Sequence, residues 1–160
     1  MILVTVGMQL GFDRLIRAMD MITPELGMQV VAQTGKGDFQ PRHMEAHNRL
    51  DPQAFETLAS DARVLVSHAG IGTVLTAARV KRPIVLFPRR AALKEHRNDH
   101  QLATVSQLQG RAGIFVAMDE EQLPTQIEKA LSMGEWSQEQ SSSAQRLNDA
   151  VASFIDGAKS

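Results

Sequence analysis

Along the chain, short uninterrupted apolar runs alternate with longer stretches in which apolar residues recur every third or fourth position. Residues 2–6, Ile-Leu-Val-Thr-Val, are rich in β-branched side chains and close on Gly7, the pattern of a strand buried on both faces. Phe12, Leu15, Ile16, Met19 and Ile22 follow at helical spacing, and Pro24 is expected to stop that helix. Residues 29–33 read as a second strand running into Thr34-Gly35-Lys36-Gly37, a flexible polar turn, and a short third strand is placed at 46–50. Asp51-Pro52 is a helix start, with the aspartate as cap and the proline in the first turn; Ala54, Phe55, Leu58 and Ala59 supply the apolar face. Val64-Leu65-Val66 is a fourth strand, and the helix after it is expected to run from Gly72 or Thr73 to Val80. Residues 84–87 form a fifth strand and 114–116 a sixth, with a helix through Leu102, Val105 and Leu108 between them. A helix over 120–131 follows, then Trp136 in a connector and a last helix at about 138–156 carrying Ala144, Leu147, Val151, Phe154 and Ile155.

Strands alternating with helices at this spacing predict an α/β fold, a Rossmann-like, mostly parallel sheet with helices on both faces. Ligands of such sheets sit beyond the carboxyl ends of the strands, which directs attention to the loops at 7–11, 34–37, 67–73 and 88–101. No repeat, low-complexity tract or long linker divides residues 1–160, so a single domain is expected.

Composition narrows the function classes. With 43% hydrophobic residues the 160-residue chain has the makings of a core, and disorder is excluded for most of it. A formal net charge of -1 gives no global attraction to nucleic acid. The absence of cysteine excludes disulfides, thiolate nucleophiles and thiolate-bound metals, and it fits a reducing compartment. No apolar run reaches the roughly 20 residues of a membrane span, and the N-terminus lacks a basic stretch before its apolar run. A cytoplasmic protein is the expectation.

Two polar clusters could carry chemistry. Gly70 and Gly72 flank Ile71 just before a helix, where backbone amides can hold a phosphate and Thr73 can add a hydroxyl. A tight turn without a ligand would look the same. The spacing is that of neither a P-loop nor the dinucleotide fingerprint, and Gly7-Met8-Gln9-Leu10-Gly11 lacks the latter too. His68 stands at the same edge, as a phosphate or sugar donor or as a loop-orienting group. The second cluster is Glu95-His96-Arg97-Asn98-Asp99-His100-Gln101. Its mixed donors and acceptors suit sugar hydroxyls, while His96 and His100, four apart and flanked by Glu95 and Asp99, leave a metal site open. Arg89, Arg90, Lys94 and Arg97 lie on this edge, able to neutralise a diphosphate, meet anionic lipid or stay solvated. Lys81 and Arg82 fall at the opposite edge.

Taken together, Val66-Ser67-His68-Ala69-Gly70-Ile71-Gly72-Thr73, Pro83, Pro88-Arg89-Arg90, Glu95-His96 and Asn98-Asp99-His100-Gln101 resemble the C-terminal, donor-binding domain of family 28 glycosyltransferases. Within that family the chain is most similar to the small stand-alone subunits of the Alg13 and bacterial exopolysaccharide type. The opening residues 1–7, Gln9 and Phe12-Asp13-Arg14-Leu15 agree with that subgroup. The resemblance implies the donor half of a GT-B enzyme. It would be a hexosyltransferase, active with a partner subunit, moving a hexose from a UDP-sugar to a lipid-linked acceptor in polysaccharide or glycoconjugate synthesis. By similarity Gly70, Ile71, Gly72 and Thr73 cradle the donor phosphates, Asn98, His100 and Gln101 face the sugar, and Gly7 and Gln9 line the cleft. His68 and His100 are the candidate catalytic groups, Arg89 can assist at the diphosphate, and neither a metal nor a cofactor is implied. A membrane-anchored partner would supply the acceptor domain and hold the protein at the inner face of the membrane. Two positions depart from the family: Met8 replaces a usual serine or threonine, and Thr76 falls where a glutamate binds the ribose hydroxyls. Both departures motivate the alternative, a non-catalytic nucleotide-sugar-binding or assembly subunit.

Overall fold

The computed structural model describes residues 1–7, 10–95 and 99–133. Six strands, β1 (Ile2–Thr5), β2 (Val30–Gln33), β3 (Glu45–His47), β4 (Val64–His68), β5 (Ile84–Phe87) and β6 (Ile114–Val116), form one sheet. Its order is β3-β2-β1-β4-β5-β6, and each neighbouring pair is parallel. The helices are α1 (Asp13–Leu26), α2 (Pro52–Asp61), α3 (Ile71–Val80), α4 (His100–Leu108) and α5 (Leu123–Met133).

Strand periodicity sorts the apolar residues into two cores. Ile2 and Val4, Val30 and Ala32, Val64 and Val66, and Val85 and Phe87 face α1 and α5. The intervening Leu3, Val31, Leu65, Ile84 and Leu86 face α2, α3 and α4. Burial on both faces explains why these strands read as continuous apolar runs. The chain leaves β1 toward β2 on one side and returns with β4 on the other, so the switch in strand order lies at the carboxyl ends of β1 and β4.

Three sequence expectations change. Pro24 does not stop α1, which continues to Leu26 and ends at left-handed Gly27 (φ 66°). Proline removes one backbone hydrogen bond, while Ile22 and Leu26 still pack onto the α1–α5 core on either side of it. The 34–37 turn is pinned rather than flexible. Gly35 N donates to Asn48 O at 2.9 Å, and the Asp13 carboxylate accepts from the amides of Asp38 and Phe39. The helix expected from residue 120 opens as a 3₁₀ turn, Glu120–Gln122, capped by Asp119, before α5 begins. The last helix at 138–156 and Trp136 lie outside the described residues.

Candidate functional site

Where β1, β2 and β4 end, apolar side chains give way to Thr5, Gln33 and Ser67, which pair in register across the sheet and are all buried. They lie on the α2–α4 side and form a polar step at the carboxyl edge. Above it opens a cleft of about 360 Å3 between the starts of α2 and α3. Thr5, Gly7, Gln33, His68, Gly72, Thr73 and Thr76 line one part of it, and Arg49, Leu50, Pro52 and Phe55 the other. Among the described residues no carboxylate lines the cleft.

The two helix starts differ. Asp51 seals α2: its carboxylate accepts from Ala54 N at 2.8 Å, and Pro52 has no amide hydrogen to satisfy. The start of α3 has no such cap. Gly70 precedes it in an extended conformation, and no side chain accepts from its first turn. The amides of Ile71, Gly72 and Thr73 therefore stand without an acceptor among the described residues, at the positive end of a ten-residue helix.

The glycines explain the shape of this end. A Cβ on Gly70 would lie 2.3 Å from His68 Nε2, and one on Gly7 3.4 Å from the same atom. The His68 ring thus packs against both glycines. Its Nδ1 is 3.2 Å from Ser67 Oγ, a hydroxyl that also donates to His68 O at 2.8 Å. By contrast, a Cβ on Gly72 meets nothing within 4 Å. The side chain of Ile71 packs with the α2–α4 core, leaving its amide as the group available to a ligand. Thr76 is buried, and its hydroxyl donates to Gly72 O at 3.1 Å.

The second cluster is spent largely on holding loops together. Gln101 is buried, and its Oε1 accepts from Ala69 N at 3.2 Å and Arg89 N at 2.9 Å, tying the loops after β4 and β5. Arg89 is only 2% exposed. Its guanidinium donates to Gly11 O at 2.6 Å and Leu10 O at 3.0 Å, and it stacks 4.5 Å from the Phe12 ring centre. Burial lowers its pKa, partly offset by the charge of Glu95. Glu95 receives a two-pronged bond from Arg14 at 2.9 Å on each arm and also accepts from Arg90 N at 3.1 Å. Burial pulls the Arg14 pKa down, but the bonds and charge of Glu95 outweigh it and the net shift is upward. Arg90 reaches Met118 O, and Asp99 accepts from Ala91 N at 2.9 Å.

The structure therefore brings Gly7, His68, Gly72, Thr73 and Thr76 into one cleft, with Gly70 and Ile71 at its helix start. Arg89 and Gln101 stand beside it as buried ties, and His100 is exposed at the start of α4. Met8, Gln9, His96, Arg97 and Asn98 lie outside the described residues, and among those described no three potential ligands gather as a metal site. Sequence reasoning missed Arg49, Leu50 and Gln33. Gln33 Nε2 donates to Thr5 Oγ1 at 3.2 Å, and its Oε1 accepts from Leu50 N at 3.0 Å, fixing the far wall to the sheet. The readable signal was a polar residue ending each of three otherwise apolar strands.

Against known proteins, the model of the glycosyltransferase family 28 C-terminal domain matches residues 1–156. No curated protein sequence matches the chain. Among solved structures, the glycotransferase of kitacinnamycin is similar over 94% of this chain and 39% of its own, at 16% identity and a TM-score of 0.65. Glycosyltransferase SsfS6 of Streptomyces sp. SF2575, complexed with thymidine diphosphate, matches 95% of this chain and 37% of its own, at 20% identity and a TM-score of 0.58. ALG13 matches 91% of this chain and 93% of its own, at 12% identity and a TM-score of 0.61. These likenesses establish the fold, a Rossmann-like GT-B half, and the chain spans about two-fifths of the length of the first two. The family match corrects the expectation of a hexosyltransferase. The match is to the C-terminal, non-catalytic half of family 28 transferases. The physical reason lies in the site: its described lining offers no carboxylate as a base, and the Nε2 edge of His68 packs against Gly7 and Gly70.

Proposed function

From the premise that the chain belongs to the glycosyltransferase family 28 C-terminal domain family, we propose that it is a nucleotide-sugar-binding subunit without turnover of its own. The observation that carries this reading is the uncapped α3 start opening onto a cleft without carboxylates. Three unpaired amides at a helix N-terminus, backed by Thr73 and His68, suit the diphosphate of a UDP-sugar or a close analogue. The thymidine diphosphate in SsfS6 makes deoxyribonucleotide donors part of the same class. Leu50, Pro52 and Phe55 offer an apolar wall for the base.

The acceptor, a lipid-linked sugar in this reading, is bound by a membrane-anchored partner that also supplies the base. No described helix is long and apolar enough to cross a membrane, and in this reading the partner holds the chain at the membrane. Calorimetric titration of the purified chain with UDP, dTDP and their sugar conjugates tests the proposal, run beside a transfer assay with a lipid-linked acceptor. Binding of a nucleoside diphosphate with no transfer is expected from the chain alone, and transfer only when a membrane partner is added. A chain that binds none of these ligands, or that transfers sugar unaided, refutes it.

A further inference from the structure

The arginine that sequence position offers to a ligand at this edge, Arg89, is buried in bonds to Leu10 and Gly11. Arg14 is held by Glu95, Arg79 by Glu56, Arg82 by Ser60 O and Arg90 by Met118 O. Arg49 is different. Among the described residues it is the sole lysine or arginine lining the cleft, it is exposed, and no hydrogen bond or ion pair engages its side chain. Its backbone is nevertheless fixed on both sides. Asn48 O accepts from Gly35 N at 2.9 Å, His47 O accepts from Thr34 N at 2.9 Å, and Leu50 N is held by Gln33. A guanidinium on a fixed base, facing a cleft without a carboxylate, is a charge with no internal partner.

We infer that Arg49 is the countercharge for the bound diphosphate, completing from the α2 side the anion site that the α3 amides form from the other. This rests on the nucleotide-binding reading above and deepens it. Backbone amides carry only partial charge, and a diphosphate leaving water also requires a full opposite charge. A guanidinium supplies this with two donors matched to phosphate oxygens. His68 lines the same edge. Recognition by Arg49 follows the phosphates and is indifferent to which sugar they carry.

The test compares wild type, Arg49→Ala and Arg49→Lys for binding of inorganic pyrophosphate, UDP and uridine. Removing the guanidinium should weaken pyrophosphate and UDP by about tenfold, the scale of one solvent-exposed charge-assisted bond. Uridine affinity should stay within about twofold, and lysine should restore part of the loss because the charge remains. Phosphate binding that ignores Arg49→Ala, or a loss equal for uridine and UDP, overturns the assignment. Wild type that binds pyrophosphate through Arg49 but shows no preference for UDP keeps the cation site and removes the nucleotide reading. Wild type that binds neither overturns both.

Discussion

Two glycines, two residues apart, should respond in opposite ways to an added side chain. At Gly72 an added Cβ has nothing within 4 Å, and the position lies inside the first turn of α3. The Cβ of Gly72→Leu therefore meets no steric penalty in the unliganded protein, and replacing glycine by a good helix former gains about 0.5 kcal/mol. The new side chain stands in the cleft, where it occupies the space through which a phosphate approaches the amides of residues 71–73. Losing one charge-assisted bond costs about 1.5–3 kcal/mol, an affinity drop of roughly tenfold to a hundredfold. At Gly70 the outcome reverses: a Cβ would fall 2.3 Å from His68 Nε2, so even alanine must push the ring from its seat. Forcing that ring off its preferred rotamer costs about 1 kcal/mol, which for a chain of this size lowers Tm by roughly 2–4 °C.

The assay pairs thermal unfolding with calorimetric titration of UDP for Gly72→Leu, Gly70→Ala and wild type. Expected are an unchanged or slightly raised Tm with lost binding for the first, and a lowered Tm for the second. A folded Gly72→Leu protein that binds UDP as tightly as wild type would refute the placement of the phosphates at the α3 start. A Gly70→Ala protein with wild-type Tm would refute the packing of His68 against that glycine.

The buried carboxylate of Asp20 accepts from the amides of Arg42 and His43 at 3.0 and 2.7 Å, so Asp20→Ala should cost about 2–4 kcal/mol by stranding both donors, read as a shift in the urea midpoint. The Arg79–Glu56 pair is exposed, and its hydrogen bond holds the Glu56 carboxyl below the usual carboxylate range. Its small contribution is thus present at neutral pH and lost as pH falls through the folded-state pKa, and Glu56→Gln should leave the neutral-pH Tm nearly unchanged while removing that acid-side dependence. Gln101→Ala should lower Tm by exposing two backbone donors to an unfilled space, whereas Gln101→Glu, which keeps an acceptor oxygen in place, should lose less.

The elements were legible where local chemistry and burial agree. Asp51-Pro52 marks the start of α2 because cap and proline both act through the first turn. Residues 84–87 read as a strand because both faces are buried. The α3 start was legible too, since glycines and the following helix are adjacent in sequence. Arg49 and Leu50 were not, because only the order β3-β2-β1-β4 carries the loop after β3 to the far side of the same cleft. Arg89 misled for a related reason: sequence position puts a basic residue on the ligand edge, but the carbonyls of Leu10 and Gly11 and the ring of Phe12, nearly 80 positions away, turn it inward. Pro24 misled because a tertiary face outweighed a local breaker.

The distribution of polar partners also bears on why this half binds rather than transforms. Gln101, Arg89, Arg14 and Glu95 spend their hydrogen bonds on neighbouring loops, and Gln33 fixes the wall of the cleft opposite α3. What remains unspent is a set of donors, the α3 amides and Arg49, held by rigid backbone. Fixed donors that meet a diphosphate hold it in the ground state, and they hold it more strongly as its bond to the sugar breaks, because the leaving diphosphate takes the bonding pair and gains negative charge. Transfer also needs a base at the incoming hydroxyl, which in the reading proposed above approaches from across the cleft. In a two-domain architecture the groups able to supply that base stand on the facing domain. If the proposed division of labour holds, grafting a carboxylate into this cleft should weaken diphosphate binding by repulsion sooner than it creates turnover.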